Sequence, residues 1–243
     1  MKVVMPIAGR ASRFKEVGYN VPKPLIEILG KPMVKWATDS IPFVKPEQMI
    51  FLVLKEHVDN HRIDEKLREI YSDEITIIAI NEVTEGAACT VLLAKELINN
   101  DEPLIISDCD HYFQNRQYSK LVVQLPHNVH GIIPVFEANE NKWSFTSVDK
   151  NWRVLQVSEK IKISKYANIG AYFFSRGKDF VWAAEEMISE NKRINNEFYV
   201  CPVYQELINS GKTIIAVACE QVWGLGTPED VKYFVKNYGK VEG

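Results

Sequence analysis

The chain has 243 residues, enough for one large domain or for one domain with a modest insertion. It carries 29 Lys and Arg residues against 32 Asp and Glu residues, so its formal net charge of −3 lacks the basic excess that nucleic-acid binding requires. With 46% hydrophobic and 25% charged residues, the composition is that of a globular protein and excludes disorder over most of the chain.

The hydropathy pattern argues against a membrane protein. No apolar run approaches the roughly 20 residues that a spanning helix needs. The apolar start, residues 1–8, is too short for a signal peptide. We therefore expect a cytoplasmic protein with neither a membrane nor a nucleic acid as partner. The four cysteines show no C-x-x-C spacing, which favours reduced thiols over a zinc or redox motif.

The first half of the chain alternates short β-branched runs with amphipathic stretches. This alternation predicts an α/β fold, a sheet with helices on both faces. The predicted strands cover residues 2–8, 49–54, 75–80, 104–107 and 131–136, and the predicted helices cover 32–41, 57–71 and 86–98.

The second half begins with two strand-like runs, at 143–148 and 153–158, which predict a small antiparallel hairpin inserted in the sheet. A closing helix is expected to begin near Pro228, with Thr227 as its N-cap. We expect one domain over residues 1–243, with the hairpin region at about 140–175. The remaining predictions are a strand at 167–174, helices at 178–189 and 200–210, and a strand at 213–218.

The loop after the first predicted strand is the first candidate site, because ligands of such sheets gather at the carboxyl ends of strands. Its small residues let backbone N–H groups approach an anion, and Arg13 and Lys23 can neutralise a polyphosphate. It is not a Walker loop, because no Gly-Lys-Ser/Thr follows, and it lacks the dinucleotide fingerprint. The segment predicts a triphosphate site.

A pair of aspartates follows the strand predicted at 104–107. Asp108 and Asp110 flank one residue and can direct their carboxylates at a common hard cation. Mg²⁺ is commonly held by one or two carboxylates together with substrate phosphates. The pair therefore predicts a magnesium site.

These segments together resemble the sugar-phosphate nucleotidyltransferases, whose hallmark is A-G-x-G-[ST]-R-[FL] followed by P-K-P-L and G-K-P-[ML]. The chain reads A-G-R-A-S-R-F from Ala8, P-K-P-L from Pro22 and G-K-P-M from Gly30. It departs from the hallmark at Ala11, where the family usually has glycine.

The resemblance implies a Rossmann-like nucleotidyltransferase fold with a mixed, mostly parallel central sheet, and a Mg²⁺-dependent reaction. In it, a nucleoside triphosphate and a small phosphorylated acceptor give a nucleotide conjugate and pyrophosphate. Arg13 and Lys23 would be catalytic. The metal aspartate would lie in the Asp-x-Asp segment, where Asp108 and Asp110 both stay open and Asp110 is favoured by the residues after it. The implied nucleotide-binding residues are Ala8, Gly9, Ala11, Ser12, Gly86 and Ala87.

On the acceptor side, the resemblance assigns Lys160 to the acceptor phosphate and Gly170 to a close approach of the acceptor. Glu197 is a weaker candidate for the acceptor site and for the metal. The family pattern W-x-D-x-G-T-P-E places a second metal-binding aspartate where this chain has Gly224. Asp108 and Asp110 together, or an acidic residue from elsewhere, would then hold the metal.

The segment 106–115 is more similar to compact cytidylyltransferases acting on phosphocholine or phosphoglutamine than to glucose-1-phosphate thymidylyltransferases. CTP is therefore the favoured nucleotide, in the synthesis of precursors for bacterial capsule polysaccharide. The alternatives are a sugar-1-phosphate uridylyl-, thymidylyl- or guanylyltransferase, a metal-dependent glycosyltransferase, and a non-catalytic nucleotide-binding subunit. A homodimer is left open.

Overall fold

A computed structural model describes residues 1–239. Within that range the chain forms a ten-stranded mixed sheet with helices on both faces, as the sequence predicts. The strands are β1 (Lys2–Pro6), β2 (Glu27–Ile28), β3 (Lys31–Pro32), β4 (Met49–Leu54), β5 (Thr76–Ile80), β6 (Leu104–Ser107), β7 (His111–Gln114), β8 (Gly131–Glu137), β9 (Ser144–Val148), β10 (Val154–Glu159), β11 (Tyr166–Asn168), β12 (Ala171–Phe174), β13 (Ile214–Ala218) and β14 (Gln221–Gly224).

Ten α-helices connect these strands in the described range, and two short 3-10 helices lie at Lys23–Leu25 and Pro46–Gln48. The α-helices are α1 (Ser12–Lys15), α2 (Met33–Asp39), α3 (Lys55–His61), α4 (Ile63–Ile70), α5 (Ala87–Leu92), α6 (Lys95–Ile98), α7 (Arg116–Val123), α8 (Gly177–Ser189), α9 (Val203–Asn209) and α10 (Pro228–Asn237).

The main sheet has the order β10-β9-β11-β8-β12-β6-β1-β4-β5, with β13 beside β8. β1 lies parallel to both β4 and β6, and its Val4 is in register with Ile50 and Ile106. β12 runs antiparallel to both β6 and β8. β9 and β10 form the predicted antiparallel hairpin at one edge of the sheet.

The core lies on both faces of the sheet. Val3, Val4 and Met5 are completely buried, so β1 reads as a continuous apolar run rather than an alternating one. Apolar side chains of α5, α8 and α9 cover one face and those of α2, α4 and α7 cover the other. A third apolar cluster joins the segment after β1 to α2 and α10.

Three predicted elements are interrupted in the structure. The helix predicted at 57–71 breaks at Arg62, which adopts a left-handed φ of 52° between α3 and α4. The helix predicted at 86–98 divides into α5 and α6. The strand predicted at 167–174 divides into β11 and β12 at Ile169 and Gly170, where the φ of Gly170 is +83°.

Two small sheets and two α-helices, α1 and α7, were not predicted. β2 pairs with β3, and β7 pairs with β14, both antiparallel. The helix α7 follows β7 and is capped by the side chain of Asn115. Among the helices of residues 1–239, none is long and apolar enough to cross a membrane.

Candidate active site

A cavity of about 740 Å³ opens at the carboxyl ends of β1 and β6, and it is also lined by Ser144 at the start of β9 and Glu159 at the end of β10. This volume is in the range of small-molecule and cofactor sites. Three predicted residues do not line it: Ala8 is buried behind the wall, Gly86 adjoins it, and Glu197 is exposed outside it. The predicted site residues that line the cavity are Gly9, Ala11, Ser12, Arg13, Lys23, Ala87, Asp108, Asp110, Lys160 and Gly170.

The loop after β1 turns sharply at Ala11, whose φ of 53° and ψ of 39° lie in the left-handed region. That conformation costs roughly 1–2 kcal/mol for a residue with a Cβ, which explains why glycine would suit the position. The turn starts α1, and the side chain of Arg13 is exposed at the cavity wall. Arg13 forms no ion pair within the described residues. Its charge is therefore available to an anionic ligand.

Lys23 and Asp110 form an ion pair across the cavity wall, with 2.6 Å between Nζ and Oδ2. Their side chains are 22% and 30% exposed. Burial disfavours the charged form of both groups, but their attraction outweighs it, so the pKa of Lys23 is raised and the pKa of Asp110 is lowered. The site therefore holds one firmly ionised carboxylate beside one firmly protonated amine.

Asp108 has a different environment from Asp110. Burial and the nearby charge of Asp110 raise its pKa, which favours the protonated form when no cation is bound. Its backbone N–H donates to the carbonyl of Gly170 over 2.9 Å. A Cβ at Gly170 would lie 2.7 Å from Asp108 Oδ2, so only glycine lets the start of β12 pass this close to the carboxyl group.

His111, the first residue of β7, lines the same cavity and is 1% exposed. Neither ring nitrogen has a hydrogen-bond partner among the described residues. Burial lowers the pKa of His111 to about 4, so the imidazole is neutral near pH 7. No role was predicted for His111, because the sequence after the Asp-x-Asp segment does not indicate that this histidine is buried.

The predicted acceptor residue Lys160 lies at the end of β10 and lines the cavity. Lys160 has a left-handed φ of 55°, and its backbone N–H donates to the carbonyl of Trp143 over 3.1 Å. Its Nζ donates to the hydroxyl of Tyr199 and lies 4.3 Å from the centre of that ring. Glu159 is 5% exposed, accepts a hydrogen bond from Ser144, and has a pKa raised by burial. A cation, a carboxyl group and hydroxyl groups thus meet at one end of the cavity.

The segment at Gly86 shows why that glycine is needed. Its φ is +138°, and a Cβ there would lie 2.4 Å from the carbonyl oxygen of Phe198. The peptide of Phe198 is held on both sides, because its N–H donates to Glu85 and its carbonyl accepts from Ala88. Close packing against this backbone therefore demands a glycine, and Ala87 is the residue that faces the cavity.

Sequence reasoning missed several residues that line the cavity. Lys142, Trp143 and Ser144 enter it from the hairpin, and Asp230 enters from the first turn of α10. The predicted N-cap of α10 is confirmed, since Thr227 and Asp230 form reciprocal side-chain to backbone hydrogen bonds. Because capping already accounts for Asp230, the sequence did not indicate that this residue also lines the cavity.

Comparison with known proteins identifies relatives over most of the chain. The model of the nucleotidyl transferase family matches residues 2–233. A mannose-1-phosphate guanylyltransferase catalytic subunit beta of Dictyostelium discoideum is 21% identical over 185 residues, covering 72% of this chain and 50% of that protein. The bifunctional protein GlmU of Acetivibrio thermocellus is 23% identical over 235 residues, covering 90% of this chain and 48% of that protein. The chain thus spans about half the length of these two relatives.

Solved structures share the fold. A nucleoside-diphosphate-sugar pyrophosphorylase from Vibrio cholerae superposes with a TM-score of 0.81 at 25% identity, over 96% of this chain and 99% of that one. An inositol-1-phosphate CTP transferase from T. maritima superposes with a TM-score of 0.74 at 17% identity, over 98% and 96% of the two chains. The family model covers most of the chain, and the chain therefore belongs to the nucleotidyl transferase family.

Proposed function

We propose that the protein transfers a nucleotidyl group from a nucleoside triphosphate to a small phosphorylated acceptor and releases pyrophosphate. One observation carries this proposal. A single cavity is lined by Arg13, by the Lys23–Asp110 pair and by Lys160. Several cations around one cavity suit a reaction in which a triphosphate and a second phosphate must meet.

The proposed chemistry needs positioning and charge neutralisation rather than covalent catalysis. An oxygen of the acceptor phosphate attacks the α-phosphorus, a new P–O bond forms, and the bond to the β-phosphate oxygen breaks. The loop at residues 9–12 and Arg13 would hold the leaving pyrophosphate, and Lys23 would stabilise charge on the α-phosphate. Lys160 would position the incoming phosphate.

A divalent cation fits the donor set of the cavity. Asp110 is ionised and Asp108 lies two residues before it, so oxygen donors suited to Mg²⁺ are present. Over residues 1–239, no three His, Cys, Asp or Glu side chains converge as a complete metal site. We therefore propose that the carboxylates bind Mg²⁺ by themselves and that the substrate phosphates, whose charge it would neutralise, complete its coordination.

For the substrates, we propose CTP and a small phosphorylated acceptor, with a role in capsule polysaccharide precursor synthesis. The resemblance of segment 106–115 to compact cytidylyltransferases supports this choice. The second candidate is a sugar 1-phosphate with another nucleotide, and the mannose-1-phosphate guanylyltransferase among the relatives favours it. The buried Glu159 and Ser144 could accept and donate hydrogen bonds to hydroxyl or amide groups of either acceptor.

The test is a matrix of CTP, UTP, dTTP and GTP against phosphocholine, phosphorylated amides and sugar 1-phosphates, with pyrophosphate release as readout. Mg²⁺ and EDTA arms test the cation requirement. Turnover of one pair with Mg²⁺ supports the proposal. In a further arm with nucleotide sugars as donors, sugar transfer without pyrophosphate release would instead identify a glycosyltransferase. Nucleotide binding without any turnover would identify a non-catalytic subunit.

Variants of Arg13 and Lys160 test the separate roles of these two cations. Arg13→Ala should lose roughly 2–4 kcal/mol of transition-state stabilisation, the scale for one preorganised charge-stabilising donor. Lys160→Ala should raise the acceptor KM or lower kcat while nucleotide binding without acceptor stays unchanged. The exposed Glu229→Gln, which lies outside the cavity, is the control. A Lys160→Ala protein that no longer binds nucleotide would refute the assignment of Lys160 to the acceptor.

A further inference from the structure

We propose that Asp230, in the first turn of α10, is the second carboxylate ligand of the divalent cation, opposite Asp110. The inference rests on the proposed function in one respect, namely that the proposed reaction requires a divalent cation. It names a residue that lies 120 positions from Asp110 in sequence and is brought to the same cavity by α10.

The first observation is the gap between the two carboxylates. A Cβ built on Gly226 would lie 3.1 Å from Asp110 Oδ2 and 3.9 Å from Asp230 Oδ2. One point beside the backbone is therefore within 4 Å of both oxygens, and the absence of a side chain at Gly226 keeps that point open. The chain there has no left-handed φ, so the glycine is not required by backbone conformation.

The second observation concerns position 224, which cannot supply a ligand in this chain. A Cβ on Gly224 would lie 2.8 Å from Cη2 of Trp143, so the indole fills the space of any side chain there. The carboxyl carbon of Asp230 lies 3.9 Å from the same Cβ position. The carboxylate of Asp230 thus stands next to the place that a side chain at 224 would have occupied.

The third observation is independent of the acidic residues. His111 pairs with Gly224 in the β7–β14 register, lines the cavity, and is 99% buried with both ring nitrogens lacking partners among the described residues. Buried polar atoms are almost always hydrogen-bonded, and exceptions commonly mark a bound ion or water. A hydrated cation at this end of the cavity would satisfy the imidazole.

Asp230 is already oriented toward the gap. Its Oδ2 accepts the backbone N–H of Thr227 over 3.1 Å in the capping box, and its Oδ1 accepts from Lys142 Nζ over 2.7 Å. Lys142 therefore occupies the carboxylate when no cation is bound, and the two positive charges compete for it. Removing the lysine should strengthen cation binding, whereas removing the carboxylate charge should weaken it.

The test is Mn²⁺ binding to the full chain, measured by the electron paramagnetic resonance signal of free Mn²⁺ and without nucleotide. Asp230→Asn keeps an oxygen that can accept the capping hydrogen bond, so its Tm in EDTA should stay close to that of the parent. We expect Asp230→Asn to weaken Mn²⁺ binding at least fivefold, Lys142→Gln to strengthen it at least twofold, and Glu229→Gln to leave it unchanged.

Gly226→Ala is a second variant, which places a methyl group between the carboxylates and should also weaken Mn²⁺ binding at least threefold. Parental Mn²⁺ affinity in both Asp230→Asn and Gly226→Ala would overturn the proposal, as would a parent protein that binds no Mn²⁺. Pyrophosphate release by the parent separates the two proposals. Turnover with unchanged Mn²⁺ affinity in the variants refutes only the role of Asp230, and the expected Mn²⁺ results without turnover refute only the proposed reaction.

Discussion

The ion pair between Lys23 and Asp110 should contribute to stability as well as to catalysis, and a double-mutant cycle can measure the contribution. At 2.6 Å, two unit charges attract each other by about 1.6 kcal/mol in water, and more in a partly buried site. Exposed pairs contribute about 0.2–1 kcal/mol, whereas breaking a fully buried pair costs about 3–5 kcal/mol. Because these side chains are 22% and 30% exposed, we expect a coupling free energy of about 2 kcal/mol.

The cycle consists of Lys23→Met, Asp110→Asn and the double variant, each unfolded in urea at pH 7 with EDTA and no ligand. Each single variant should lose about 2 kcal/mol in the free energy of unfolding, because a charge is left partly buried without its partner. The double variant should lose less than the sum of the single losses. A coupling free energy below about 0.5 kcal/mol would contradict this reasoning and would show that solvent already screens the pair.

Three further substitutions test local features. Gly170→Ala should destabilise the protein by about 1–3 kcal/mol in urea unfolding, since its φ of +83° is left-handed and its Cβ would meet Asp108; an unchanged midpoint would contradict this. Ala11→Gly should stabilise it by up to about 1 kcal/mol by relieving left-handed strain, and a lower unfolding midpoint would refute that explanation. Burial lowers the pKa of His57 below its ordinary value of 6.5, so the unfolded chain binds a proton at this residue more readily than the folded chain does. The free energy of unfolding should therefore fall as the pH drops below about 6.5. His57→Gln should therefore lose less stability than the parent between pH 7 and pH 5, and equal losses would refute the assignment.

The parts of the fold that were predictable depend on local patterns. The apolar run of β1 and the start of α10 at Thr227 and Pro228 are both present as predicted. The break at Arg62 was not predictable, because amphipathic spacing continues across it and only the left-handed backbone interrupts the helix. β7 and β14 were missed because each is four residues long and is stabilised by its distant partner rather than by its own sequence.

The residues of the candidate site also differ in whether a local sequence pattern indicates them. Residues in contiguous motifs, such as Arg13 and Asp110, could be selected from the sequence and do line the cavity. Asp230 could not be selected, since its capping role fully accounts for its place in the sequence. Trp143 could not be selected either, because it lines the cavity only through the pairing of β9 with β10 and β11, which places the hairpin there.

The backbone of Phe198, hydrogen-bonded through both its N–H and its carbonyl, connects the two proposed substrate sites. It ties the turn before α5, which presents Ala87 to the cavity, to Tyr199, whose hydroxyl accepts from Lys160. Neither wall can shift without straining the hydrogen bonds from this peptide to Glu85 and Ala88. On the proposed function, a nucleotide bound against Ala87 would also fix Lys160 for the second substrate, which favours an ordered reaction in which the nucleotide binds first.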